Sequence, residues 1–138
     1  MKTVFLTGAT GTMGWAGMQE LLKYPDQYKV RILARPRAKN KEKLAPYLER
    51  IEVVWGDLTR YEDVLRGVTG SDYVLHVGGM VSPQADYRPA ATLRTNISAA
   101  VNIRDAVLAQ PEDKQPKVVY IGSVAQMGDR REPLHWGR

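Results

Sequence analysis

The sequence predicts an α/β fold in which a doubly wound parallel sheet carries helices on both faces. Short β-rich runs alternate along the chain with helical stretches, a pattern typical of βαβ units. The nearly continuous apolar run 118–121 predicts a strand that is covered on both faces. Right-handed crossovers then favour about five strands in the order 3-2-1-4-5.

The elements follow from apolar periodicity and from the glycine and proline residues that separate them. Strands are predicted at 2–7, 30–34, 51–55, 72–77 and 117–121. Helices are predicted at 13–23, 39–48, 61–67 and 92–110. Pro46 interrupts the second helix, and Pro111 lies just past the last one. Thr59 is the expected N-cap of the third helix, and a polar loop is expected over 80–89.

Composition restricts the class of protein. The 138 residues, of which 43% are hydrophobic, suit a single domain, 1–138, with its own core. Because the chain has no cysteine, it forms neither a disulfide nor a thiolate metal site, and no metal site is predicted. The first apolar run is too short for a signal peptide or a membrane span, so we expect a soluble cytoplasmic protein with no membrane partner.

The formal net charge is +5, and basic residues are concentrated after the second strand. They are Arg35, Arg37, Lys39, Lys41 and Lys43. Two interpretations fit this run equally well, a solvated loop and helix face or a phosphate-binding region. No aromatic residue interleaves the run, so nucleic-acid binding is not predicted.

Three glycines form a G-x-x-G-x-x-G pattern between the first strand and the first helix. Gly8 permits a tight turn, Gly11 lets the backbone approach a phosphate, and Gly14 lets the helix pack closely on the sheet. The free N–H groups and the partial positive charge of the helix N-terminus favour a diphosphate at this place. The predicted contacts with a dinucleotide cofactor are Gly8, Thr10, Gly11, Thr12, Met13 and Gly14.

Ligands of an open α/β sheet bind beyond the carboxyl ends of the strands, near the point where the strand order reverses. The residues in this position after the second to fifth strands are therefore candidates. They are Arg35, Asp57 with Leu58, Val77 with Gly78 and Gly79, and Ser123.

In combination these pieces resemble the extended short-chain dehydrogenase/reductase family, which includes nucleotide-sugar epimerases and dehydratases. The matching stretches are Thr7-Gly8-x-x-Gly11-x-x-Gly14, Gly56-Asp57-Leu58, His76-Val77-Gly78-Gly79, Asn96 and 120–128. The resemblance implies a Rossmann-like fold, a nicotinamide dinucleotide cofactor, and hydride transfer at a hydroxyl or carbonyl carbon of a nucleotide sugar or another hydroxylated metabolite.

The resemblance also implies roles for single residues. Asp57 would accept a hydrogen bond from the adenine amino group with Leu58 beside the ring, although an aspartate after a strand is also a common turn former. Gly78 and Gly79 stand where the family usually has two alanines, and they would let the backbone lie against the ribose. His76, on a strand, is expected to be packed rather than catalytic.

Two further residues match the family's active site. Asn96 corresponds to a helix asparagine that supports the active site, and its alternative is an ordinary polar helix residue. Ser123 corresponds to the active-site serine or threonine, five residues before Gly128, that bonds the reacting substrate oxygen; its alternative is a turn hydroxyl. His135 and Trp136 receive no role.

The end of the second strand favours NADP over NAD. NAD-binding proteins of this fold usually place an acidic residue there, whereas this chain has Ala34 followed by Arg35. A guanidinium binds a 2′-phosphate through paired, charge-assisted hydrogen bonds, and Arg37 and Lys39 add charge. The alternative is that Arg35 faces solvent and that the ribose is held elsewhere.

The resemblance requires a Tyr-x-x-x-Lys pair, in which the phenol transfers a proton to or from the substrate oxygen. No lysine stands four residues after any of the seven tyrosines. The family spacing places the pair beyond Arg138. We therefore expect this chain to be the N-terminal, cofactor-binding part of a longer enzyme and to be inactive alone. The alternative is a non-catalytic NADP-binding module of the same superfamily, such as a redox sensor or an assembly factor.

The helix at 92–110 is apolar on more than one side, because Ile103 and Val107 widen the stripe that Leu93, Ile97, Val101 and Leu108 form. A broad core-facing surface is one explanation. The other is a homodimer interface, which the resemblance implies because the corresponding helix of the family often contributes to one.

Overall fold

The computed structural model describes residues 1–123. The strands of this part are β1 Lys2–Thr7, β2 Tyr28–Ala34, β3 Ile51–Trp55, β4 Tyr73–His76 and β5 Lys117–Tyr120. The α-helices are α1 Thr12–Leu21, α2 Ala38–Leu44, α3 Tyr61–Val68, α4 Gln84–Tyr87 and α5 Pro89–Leu108, with 3-10 turns at Ala45–Tyr47 and Glu112–Lys114. The strands form one parallel sheet in the order β3-β2-β1-β4-β5, which confirms the predicted fold and order.

Two hydrophobic cores lie on opposite faces of the sheet. Successive side chains of a strand point to opposite faces, so Phe5 and Leu6 of the central strand β1 enter different cores. Phe5 packs with residues of α3 and α5, and Leu6 packs with residues of α1 and α2. A Cβ at Gly67 of α3 would overlap the Phe5 ring, so this helix lies close to the sheet. The predicted helices on both faces are therefore present.

Several element boundaries differ from the prediction for local reasons. The second helix ends at Leu44 rather than continuing to 48, and a 3-10 turn containing Pro46 follows it, because proline lacks the N–H that an α-helix interior needs. The predicted loop 80–89 contains the short helix α4. The last helix begins earlier than predicted, and Pro89 occupies its first position, where proline is tolerated.

The prediction of Thr59 as an N-cap is wrong. Arg60 is the N-cap of α3 and makes no side-chain capping bond. Thr59 instead donates hydrogen bonds from its amide and its hydroxyl to Oδ1 of Asp57, at 2.9 and 2.8 Å. The carboxylate of Asp57 thus fixes the turn that leads into the helix, and Thr59 belongs to this turn, one residue before the N-cap.

The expected cover on both faces of the fifth strand is not observed. Val118 and Val119 are 40% and 42% exposed, and all four residues of β5 are exposed. Within residues 1–123, β5 is an edge strand that pairs only with β4. In this part of the chain, no second neighbouring strand, with its connecting helix, covers the faces of β5.

The long helix α5 is apolar on two sides, but only one of them faces the core. Ile103 and Val107 are buried, whereas Leu93, Ile97 and Leu108 are 63%, 54% and 63% exposed. The apolar stripe and the core-facing surface are thus different faces of the helix. In the part of the chain that the structure describes, no helix is both long enough and apolar enough to cross a membrane.

Candidate functional site

The turns that follow β1 and β4 approach each other at the carboxyl edge of the sheet. Gly8, directly after β1, has a φ of +75°, a backbone conformation that favours glycine. A Cβ at Gly8 would lie 2.7 Å from the amide nitrogen of Gly78, in the turn after β4. Glycine is therefore required at this position both by its own backbone and by the neighbouring turn.

The third glycine of the pattern is required by contact within the turn. A Cβ at Gly14 would overlap the carbonyl group of Gly8 and would lie 2.9 Å from the amide nitrogen of Ala9. The predicted close approach of helix and sheet thus occurs at the backbone that leaves β1. A Cβ at Gly11 would be 3.4 Å from the same carbonyl oxygen, an ordinary contact, so the protein atoms alone do not require glycine there.

The first turn of α1 leaves backbone amides open. Its N-cap, Gly11, has no side chain to bond them, and the first turn contains no acidic residue. The amide of Gly11 donates to the carbonyl oxygen of Gly8 at 3.0 Å, and the amide of Trp15 donates to the carbonyl oxygen of Gly11 at 2.8 Å. Among residues 1–123 no acceptor bonds the amides of residues 12–14. Such amides, with the helix dipole, form an anion-binding arrangement.

Asp63, on α3, holds the turn after β3. Its Oδ2 accepts a hydrogen bond from the amide of Asp57 at 2.9 Å, and its Oδ1 accepts one from Arg66 at 2.6 Å. A Cβ at Gly56 would overlap the carboxyl group of Asp63, so turn and helix are in direct contact. Burial opposes ionisation, but the hydrogen bonds from Asp57 and Arg66 outweigh it and lower the pKa of Asp63. The buried carboxylate is therefore ionised at neutral pH.

Leu58 joins the turn after β3 to the turn after β4. A Cβ at Gly78 would lie 2.6 Å from Cδ1 of Leu58, and the Leu58 carbonyl oxygen accepts a hydrogen bond from Nδ2 of Asn102 on α5 at 2.8 Å. The structure thus brings Leu58 beside the glycines after β1 and β4. Asp57 acts as a turn former, and its contact with adenine stays a prediction.

A buried polar pair connects β1 with β4. The hydroxyl oxygen of Thr7 accepts a hydrogen bond from the amide of Gly78 at 2.9 Å and lies 2.8 Å from Nδ1 of His76. His76 is 4% exposed, and burial lowers the pKa of its ring. His76 is therefore packed, as predicted, and its neutral imidazole supports the turn through Thr7.

Asn96, on α5, holds the segment after β4. Its Oδ1 accepts a hydrogen bond from the amide of Met80 at 2.8 Å, and its Nδ2 donates to the Met80 carbonyl oxygen at 3.0 Å. A Cβ at Gly79 would lie 3.2 Å from Oδ1 of Asn96. The side chain thus positions the chain beyond Val77, while direct contact of Asn96 or Val77 with a cofactor stays a prediction.

A cleft of about 570 Å³ opens beyond the ends of β2 and β3. Four arginines and two aspartates contribute to its lining, namely Arg35, Arg37, Arg60, Arg66, Asp57 and Asp63. The loop that carries Arg35 is fixed by two hydrogen bonds. The carbonyl oxygen of Arg35 accepts them from the amide of Arg37 at 2.8 Å and from Nδ2 of Asn40 at 2.9 Å. The excess of positive charge suits a phosphate group.

Ser123 follows β5, so it lies at the same edge of the parallel sheet as the glycine-rich turn. The stretch 124–128 of the family resemblance, with His135 and Trp136, lies outside the described residues. Within residues 1–123 no group of three histidine, aspartate or glutamate side chains could hold a metal ion.

A family model described as "NAD dependent epimerase/dehydratase family" matches residues 4–135, nearly the whole chain. The chain belongs to this family. Curated relatives within it include the UDP-glucose 4-epimerases of Rickettsia akari and Rickettsia bellii, which are 27% and 28% identical to this chain over 127 residues. Each alignment covers 88% of this chain and 36% of the relative, so the chain spans about a third of the length of these epimerases.

Solved structures of similar proteins share the fold. Pen from Bacillus thuringiensis has a TM-score of 0.78 and 28% identity, with 92% of this chain and 39% of that chain covered. A mutant of uronate dehydrogenase from Agrobacterium tumefaciens, complexed with NAD, has a TM-score of 0.64 and 26% identity, with 89% and 41% covered. The match to the epimerase/dehydratase family thus agrees with the family resemblance of the sequence motifs.

Two residues at this edge of the sheet were not among the predicted site residues. Asp63 lies in the first turn of a helix, where an acidic residue usually serves the helix itself, so the sequence carried no signal of its contact with Asp57. In the sequence, Lys43 stands out only as part of a basic run. Its ammonium donates a hydrogen bond to the carbonyl oxygen of Thr10, inside the glycine-rich turn, at 3.0 Å.

Proposed function

We propose that this chain is the cofactor-binding part of an NAD(P)-dependent enzyme that epimerises, dehydrates or reduces a nucleotide sugar or a similar hydroxylated metabolite. One observation carries the proposal: Gly8, Gly14 and Gly78 have no room for a Cβ, and they surround a helix start whose amides at 12–14 are open to a diphosphate. The UDP-glucose 4-epimerases among the relatives support a nucleotide sugar as the substrate class.

The arrangement supports specific contacts with the cofactor. The diphosphate would lie on the glycine-rich turn, with hydroxyls from Thr10 and Thr12. The adenine would lie between Asp57 and Leu58, and the ribose would lie against the backbone of residues 77–79. These segments meet at one edge of the sheet through the contacts of Gly8 and Leu58 with Gly78.

We further propose that NADP is preferred over NAD. The end of β2 carries no carboxylate that would repel a 2′-phosphate, and Arg35 and Arg37 line the adjoining cleft. Of the two aspartates in that cleft, Asp63 is already paired with Arg66. The net field in the cleft therefore favours a phosphate over a hydroxyl group.

Calorimetric titration of the chain with NADP and NAD tests this preference. We expect tighter binding of NADP, and we expect Arg35→Ala to weaken NADP binding about tenfold while leaving NAD nearly unchanged, the size typical of a lost charge-assisted hydrogen bond. Lys114→Ala is the control, because it removes one positive charge from the turn before β5, at the opposite edge of the sheet. Equal affinity of the parent for both cofactors would overturn the preference.

Catalysis is proposed to require residues beyond this chain. Ser123 would bond the substrate oxygen, but hydride transfer also needs a positioned proton donor or acceptor, and the Tyr-x-x-x-Lys pair of the family is expected after Arg138. We therefore expect no turnover of UDP-glucose by the 138-residue chain in a coupled epimerase assay. A rate in the ordinary enzyme range, about 1–10³ s⁻¹, would contradict this.

A Tyr-x-x-x-Lys pair after Arg138 would separate an enzyme from a non-catalytic NADP-binding module, since only the enzyme needs this pair. The hydroxyl of Ser123 favours the enzyme. The exposed stripe of Leu93, Ile97 and Leu108 on α5 supports a homodimer, for which sedimentation is the direct measurement.

A further inference from the structure

Lys43 reaches from α2 to the glycine-rich turn. Its Nζ donates a hydrogen bond to the carbonyl oxygen of Thr10 at 3.0 Å. The same atom lies 4.2 Å from the centroid of the Trp15 ring, within the distance of a cation–π interaction. Two independent contacts thus hold one ammonium group beside the predicted phosphate site.

The groups that hold Lys43 are themselves fixed. The Trp15 ring meets the Tyr47 ring edge to face, with centroids 5.3 Å apart and planes at 88°. Leu44, the next residue along α2, is fully buried in the core that α1 and α2 share with the sheet. A long lysine side chain normally loses much rotamer freedom when it binds an anion, and a side chain already held in place loses less.

The charge of Lys43 is not neutralised by a neighbouring acid. Among residues 1–123 no carboxylate forms an ion pair with its ammonium. The first turn of α1 also contains no acidic residue. The ammonium therefore adds a full positive charge to the partial charge of the α1 N-terminus, because its two contacts, the Thr10 carbonyl oxygen and the Trp15 ring, are both uncharged.

We propose that Lys43 is a cofactor-binding residue whose ammonium contacts a phosphate group of the dinucleotide at the glycine-rich turn. The inference rests on the proposed function and adds a second phosphate-binding cation, distinct from the arginines of the cleft. Lys43 stands on the helix that follows Arg35 and its ammonium meets the glycine-rich turn at Thr10, so the phosphate is either one of the diphosphate or the 2′-phosphate.

The test compares Lys43→Gln with Lys114→Gln, which makes the same change of charge at the opposite edge of the sheet. Calorimetric titration of the 138-residue chain is expected to show about tenfold weaker cofactor binding for Lys43→Gln only. Lys43→Arg is expected to retain most of the affinity. The loss in Lys43→Gln is expected to shrink at high salt, because salt screens exposed charges.

Comparing the loss of NADP affinity with the loss of NAD affinity identifies which phosphate Lys43 contacts. Equal losses for NADP and NAD assign Lys43 to the diphosphate, and a loss for NADP alone assigns it to the 2′-phosphate. Lys43→Gln binding like Lys114→Gln overturns the inference while leaving the proposed function intact. The inference is also overturned if the loss of cofactor affinity is independent of salt, is not rescued by Lys43→Arg and comes with a lower unfolding temperature. In that case Lys43 only stabilises the glycine-rich turn. A parent chain that binds neither dinucleotide overturns the proposed function and this inference together.

Discussion

Gly14→Ala is expected to abolish dinucleotide binding and to lower the free energy of unfolding by about 3 kcal/mol or more. The added Cβ would overlap the carbonyl group of Gly8. A Cβ is rigidly attached to its own backbone and the carbonyl is backbone, so neither can move without shifting the start of α1 or the end of β1. Either shift displaces the amides of residues 12–14. Urea unfolding and titration with NADP measure the two effects.

Gly17→Ala is the matched control within the same helix. Nothing lies within 4 Å of a Cβ at Gly17, which is half-buried in the interior of α1. Alanine has the better helix propensity, so this change is expected to raise stability by about 0.5–1 kcal/mol and to leave NADP binding unchanged. Changes of opposite sign in the free energy of unfolding of the two variants support the close contact at Gly14. Similar stabilities of the two variants would show that this contact does not exist.

Asp63→Ala is expected to lower the free energy of unfolding by about 1.5–3 kcal/mol, the range for hydrogen bonds to a charged group. The variant leaves the amide of Asp57 and the guanidinium of Arg66 without their carboxylate partner. Because the Asp57 turn carries the proposed adenine contact, weaker binding of NADP is expected as well. Urea unfolding and calorimetry measure both quantities.

Glu62→Ala is the control for this prediction. Glu62 is the other acidic residue in the first turn of α3, and it is exposed. Removing either acid loses its interaction with the helix dipole, about 0.3–1 kcal/mol. The difference between the two variants therefore reports the contacts of Asp63 with Asp57, Arg66 and, at 3.9 Å, Arg60. If the two variants lose equal stability, the role assigned to Asp63 is wrong.

The difference in stability between the parent and Asp63→Ala is expected to depend on pH in a defined direction. The pKa of Asp63 is lower in the folded protein than the ordinary value of 3.8, so the unfolded chain binds the proton more readily. The stabilisation by the carboxylate is therefore complete well above pH 3.8 and is lost as the pH falls through the folded pKa. The stability gap between the parent and Asp63→Ala should narrow between pH 7 and pH 3, and a constant gap would contradict this assignment.

Much of the fold was predictable because it follows from short-range patterns and chain handedness. Alternating strands and helices, with right-handed crossovers, leave few arrangements of a five-stranded parallel sheet. The N-cap at Thr59 was mispredicted because Thr59 stands one residue before the N-cap Arg60, where its amide and its hydroxyl both donate to Asp57 in the preceding turn. The exposure of β5 was mispredicted because apolar composition shows which residues prefer burial but not whether a neighbour covers them.

The amino-acid sequence by itself determined the alternation of elements and the three glycines that open α1, since both depend on backbone conformations and periodicities local to a few residues. The order of the strands followed from that alternation together with the right-handed crossover rule. Only the tertiary structure decided which glycines contact which backbone, that Asp63 supports Asp57, and that Lys43 meets Thr10. Those pairs are brought together by the packing of α2 and α3 against the sheet and by the path of the turn after β1. Contacts of this kind leave no periodic trace in the sequence, whether the partners lie six residues apart, as Asp63 and Asp57 do, or 33, as Lys43 and Thr10 do.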